Sequence, residues 1–102
     1  MSNLFYFLGG YFNEDWNLEA DDDKGIVALF MKQESREQIS QTLAELQELL
    51  AQKRTEDDLK RYLFYELHCR YNPTADGLSL TQWLASIADQ LALGLQQTPK
   101  SP

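Results

Sequence analysis

Apolar residues recur at intervals of three and four along nearly the whole chain, the repeat of helices that each turn one face to a core. Leu4, Phe5, Phe7, Leu8, Tyr11 and Phe12 keep that spacing and predict a short first helix despite Gly9 and Gly10. Glycine inside a helix costs roughly 1 kcal/mol relative to alanine. The pair therefore either admits a close neighbour or ends the helix early. Ile26, Val27, Phe30 and Met31 form the stripe of a second helix, which one of Asp21, Asp22 and Asp23 is placed to cap. Ser35 to Gln38 reads "SREQ", a capping box with Ser35 as the cap and Gln38 reaching back. The helix it opens carries Ile39, Leu43, Leu46, Leu49 and Leu50 and runs to about Arg54.

Thr55 caps the next helix, whose inward residues are Leu59, Tyr62, Leu63 and Leu67. The stretch from Arg70 to Ser79 is rich in turn formers: Asn72-Pro73 resists a helix and Asp76-Gly77 favours a turn. "SLTQ", from Ser79, then opens a last helix lined by Leu80, Trp83, Leu84, Ile87, Leu91 and Leu95. Nothing alternates long enough to make a strand. The expected fold is all-α: a single-domain bundle of about five helices over residues 1–96, then a polar tail, 97–102, whose two prolines predict disorder.

Charge narrows the function. The chain has 102 residues, 16 acids and 9 bases, for a formal charge of −7. That balance disfavours direct nucleic-acid binding and docking on anionic membranes, both of which need clustered Lys and Arg. A basic protein is the complementary partner. Cys69 is the single cysteine, so no intrachain disulfide forms. The opening "MSNLFYFLGG" lacks the basic region and long apolar core of a secretion signal, which places the protein in the cytoplasm.

Candidate chemistry is sparse. His68 and Cys69 are adjacent and, in a helix, point about 100° apart, which suits neither a nucleophile–base pair nor a metal site without further ligands. They read as a buried thiol and a histidine at a helix C-terminus. Read as a calcium loop from Asp15, the chain puts Ala20 where glycine belongs and Ile26 where glutamate belongs, so that match fails. Glu14 with Asp15, or Glu56 with Asp58, would make an acid–base pair only inside a substrate cleft that nothing in the chain indicates. No enzymatic activity, cofactor or metal is expected.

The notable stretch is "YFNEDWNLEADDDKG", residues 11–25, with six acids, one base and three aromatics. Phe5, Tyr6, Phe7, Tyr11 and Phe12 read as core, and Trp16 as a pin holding the acidic segment to it, with an interface anchor as the other reading. One carboxylate suffices for a helix cap. Six exceed that need and suggest a docking surface for a cationic partner.

Leu8-Gly9-Gly10-Tyr11-Phe12, then Asp15-Trp16 and the acidic run, resembles the small immunity proteins of bacterial contact-dependent growth inhibition (CdiI-type) systems. Tyr71-Asn72-Pro73 ahead of a helix bearing Trp83 supports this, and the likeness spans about residues 4 to 92. The resemblance implies a non-enzymatic helical antitoxin that binds the toxic C-terminal domain of an effector from a neighbouring cell. It further implies a nuclease toxin, a ribonuclease foremost, met by a monomer that forms a one-to-one heterodimer. The expected toxin-binding residues are Glu14, Asp15, Glu19, Asp21, Asp22 and Asp23, with Glu56, Asp57 and Asp58 as a second group. The alternatives are a helical adaptor or assembly subunit docking through residues 35–67, and an acidic nucleic-acid mimic.

Overall fold

The computed structural model describes residues 2–96, and among these all regular structure is helical. The tail expected at 97–102 lies outside the described residues. The chain opens with α1 (Ser2–Leu4), which continues directly as a π-helical turn over Phe5–Tyr11. After it come α2 (Trp16–Glu19), α3 (Asp23–Gln33) and α4 (Arg36–Ala51). Then follow α5 (Glu56–Arg61), prolonged by a second π-helical turn (Tyr62–Glu66), a 3-10 turn at Pro73–Asp76, and α6 (Leu80–Gln96). No described helix is long and apolar enough to cross a membrane.

The caps explain the boundaries. Asp22 accepts from the Gly25 N–H at 2.9 Å and starts α3; Ser35 accepts from the Gln38 N–H at 3.0 Å and starts α4; Thr55 accepts from the Asp58 N–H at 3.1 Å and starts α5. The expected return arm of the first box is corrected: the Gln38 amide donates to Asn3 at 3.0 Å and ties α4 to α1 instead of reaching back. The reciprocal box forms at α6, where Ser79 accepts from the Gln82 N–H and Gln82 accepts from the Ser79 N–H, both at 3.0 Å. Gly77 takes a left-handed φ of 85° after the 3-10 turn, as the Asp76-Gly77 step requires.

Helix α6 is the axis of the molecule and packs against α3, α4 and α5. Leu80, Trp83, Leu84, Ile87 and Leu91 are its buried face, as the spacing predicts. Against it lie Ile26, Val27 and Phe30 of α3, Ile39, Leu46 and Leu49 of α4, and Leu59 and Leu63 beyond. Thr42 joins this buried set because its hydroxyl donates to the Gln38 carbonyl at 2.8 Å, which satisfies it without solvent. The first segment needs a correction: Leu4, Phe7, Leu8 and Phe12 are buried, but Phe5 and Tyr6 are 50% and 48% exposed. In a π-helical turn the bonds run five residues back, so the face that a 3–4 spacing assigns to the core shifts around the axis.

The acidic surface and its aromatic mooring

Four aromatic rings hold the acidic segment in place. Phe12 meets the Trp83 ring edge-on at 5.2 Å, Tyr71 lies 5.2 Å from Trp83, and Trp16 meets Tyr71 edge-on at 5.3 Å. Such pairs add about 0.5–1.5 kcal/mol each beyond their buried area. The Arg70 N–H donates to the Phe12 carbonyl at 2.7 Å, so the chain after α5 is stitched to the start of the segment. Asn13 makes the turn, donating to the Gly10 carbonyl at 2.6 Å and accepting from the Asp15 N–H at 2.9 Å. Trp16 is therefore the pin between core and acids.

The three aspartates have separate tasks. Asp22 caps α3, and Asp23 accepts the Trp83 indole N–H at 2.9 Å, which satisfies the one polar atom of a buried ring. Asp21 is exposed, as are Glu14, Asp15 and Glu19. Asp21, Asp22 and Asp23 line a cleft of about 500 Å³ with Trp16, Arg70, Tyr71 and Asn72. Its charge is mixed, since Arg70 shares the wall with the three carboxylates.

The second acidic group meets the first at the start of α6. Glu56 accepts from the Leu80 N–H at 2.7 Å, and from the Thr81 N–H and hydroxyl at 3.1 and 2.7 Å. Partial burial works to raise the pKa of this carboxyl, but the Thr81 hydroxyl and the two N–H groups outweigh it, and the net shift is downward. Asp23 reaches Trp83 one turn further along the same helix. Asp58 pairs with Arg61 at 2.6 Å, the one ion pair among the described residues, and Asp57 is exposed. Of the nine residues expected to bind a partner, Asp22, Asp23, Glu56 and Asp58 thus have structural duties. Glu14, Asp15, Glu19, Asp21 and Asp57 face solvent.

Cys69 is buried, and desolvation pushes its thiol up to about 12, so it stays protonated and unreactive. His68 is exposed with a left-handed φ of 61° and ends the second π-helical turn, its ring 6.0 Å from that of Phe5. Among the described residues no three His, Cys, Asp or Glu side chains are placed to share a metal ion.

One cluster went unread in the sequence. The Tyr6 and Tyr11 hydroxyls donate to the same Glu34 oxygen, at 2.7 and 2.6 Å. Both phenols are held above the usual tyrosine range, Tyr6 chiefly by its bond to Glu34, Tyr11 chiefly by burial and then by the same bond. Each remains a neutral donor to a charged acceptor. The partners are 28 and 23 residues apart, and Glu34 ends α3 with no local motif to mark it.

No curated protein sequence matches the chain. A solved structure does: a chain of the CdiA-CT/CdiI complex from Y. kristensenii 33638 is 30% identical, with a TM-score of 0.83, over 88% of this chain and 96% of that one. The family model described as CdiI immunity protein matches residues 1–91. This chain belongs to the CdiI immunity protein family.

Proposed function

We propose that this protein protects its own cell by binding the toxic C-terminal domain of its cognate effector, one to one and without catalysis, in the cytoplasm. The observation that carries the reading is the family match, which extends over residues 1–91. The related structure, a CdiA-CT/CdiI complex, supports a CdiA-CT-type domain as the partner. The toxin is a nuclease, a ribonuclease foremost, because a cleft that holds RNA phosphates must be cationic and is the natural counterpart of a surface like this one. Exposed Glu14, Asp15, Glu19 and Asp21 supply the field, with Asp57 in the first turn of α5. Asp22, Asp23, Glu56 and Asp58 add to it while holding the fold. Opposed potentials of this kind speed encounter and fix register. The apolar stripe of α4, with Ile39, Leu46 and Leu49, is spent in the protein's own core, which leaves the adaptor reading only the polar outer face of that helix.

Calorimetric titration against the toxin domain encoded by the reading frame upstream tests this. Wild type is compared with Glu14→Gln/Asp15→Asn/Glu19→Gln/Asp21→Asn, which leaves every observed cap intact. Tight one-to-one binding is expected, weakened about tenfold or more in the variant at low salt, with a flatter salt dependence. Two folded proteins that give no heat and no complex overturn the reading. Equal affinity and equal salt dependence overturn the acidic surface as its basis.

A further inference from the structure

A second cleft, of about 280 Å³, opens on the other side of the acidic segment, between the first π-helical turn and α3, with Tyr6, Tyr11, Asn13, Glu19 and Leu29 among its walls. Three features set it apart from the aspartate cleft. No Lys or Arg lines it, whereas Arg70 stands in the wall of the other. Glu34 does not line it but accepts, on one oxygen, from the hydroxyls of two residues that do, Tyr6 and Tyr11, so its position is set before any partner arrives. Tyr6 remains 48% exposed although it sits among core residues, with its ring 5.9 Å from that of Tyr11 in an edge-to-face pair.

An exposed phenol face, a prearranged carboxylate and a second acid on the rim are together what a guanidinium needs. Its plane stacks on an aromatic ring while its fork pairs with carboxylate oxygens. Tyrosine is also among the residues that most often carry binding energy at interfaces. We infer that this cleft takes an arginine side chain of the toxin domain, stacked on Tyr6 and paired with Glu34 and Glu19. The inference rests on the proposed function and adds an anchoring point to it. The aspartate cleft is less suited to a cation, because Arg70 would repel it at short range.

The test is calorimetric titration of the same toxin domain with wild type, Tyr6→Ala, Tyr6→Phe and Glu34→Gln. Thermal unfolding of each variant is followed alongside. Glutamine at 34 can still accept from both hydroxyls, so that variant removes charge and keeps the geometry. Tyr6→Ala and Glu34→Gln should each weaken binding about tenfold or more, and Glu34→Gln should also flatten its salt dependence. Tyr6→Phe, which keeps the ring, should hold most of the affinity. Wild type that binds, with Tyr6→Ala and Glu34→Gln within about twofold of it, overturns this inference alone. Loss in Tyr6→Ala with none in Glu34→Gln overturns the cationic occupant in favour of an apolar one. Absence of binding by wild type overturns the proposed function and this inference with it. If Tyr6→Ala does not fold, Glu34→Gln carries the decision.

Discussion

At Gly9 the first π-helical turn passes so close to the chain after α5 that a Cβ would overlap the carbonyl oxygen of Leu67. Gly10, its neighbour, faces open space. Gly9→Ala should therefore destabilise by about 1–3 kcal/mol, because backbone must shift to relieve the overlap. Gly10→Ala should be neutral or stabilising by up to about 1 kcal/mol. Urea unfolding of the two variants checks this, and equal effects would contradict it. The spacing of the pair marked it as either a close approach or a stop, and only the position of Leu67, 58 residues away, decides for the first (67 − 9 = 58). The aspartates follow the same pattern. That one of Asp21 to Asp23 caps α3 was legible from local chemistry. That Asp23 serves Trp83 was not, since this bond joins residues 60 apart. Phe5 was misread for a local reason: an α-helical spacing groups it with Leu8 and Phe12, and the π-helical turn places it half outside.

Among the elements, α6 is fastened at both ends. Glu56 meets the N–H groups of Leu80 and Thr81 at its start, and the Arg36 guanidinium donates to the Leu95 carbonyl at 3.0 Å near its end. Each charge opposes the helix dipole it faces. Glu56→Gln should cost about 1 kcal/mol near neutral pH, the scale of a cap, since solvent screens this exposed carboxylate. Its pKa is lowered in the fold from an ordinary value of 4.5. The stability it adds is therefore full above that value and fades as pH falls through the lowered one. The gap in thermal stability between wild type and Glu56→Gln should be full above about pH 5 and should narrow steadily as pH falls below 4.5. A gap that stays constant over this range would contradict the account. Helix boundaries read well from sequence because caps are local: Asp22, Ser35 and Thr55 each accept from an N–H three residues on. The role of Glu56 did not read, because a carboxylate at the start of one helix looks like a cap for that helix and instead serves another, 24 residues later.

For the molecule as a whole, uneven distribution of charge matters more than its total. One ion pair is found among the described residues, so most of their carboxylates stand without a basic partner, on a chain whose formal charge is −7. Carboxylates gather on a segment that four aromatic rings moor to the core, and on the first turn of α5 next to the start of α6. A surface so held keeps its charges in register without ordering them at the moment of binding, which lowers the cost of association. The central claim is neutralisation by stoichiometric binding, and titration of toxin activity reads it most directly. For the ribonuclease proposed above, RNA cleavage by the purified toxin domain is measured as this protein is added. The account predicts a linear fall to zero at one equivalent. Cleavage that continues undiminished at about tenfold excess over toxin held at about 1 μM, where even micromolar affinity would occupy most of it, would contradict it.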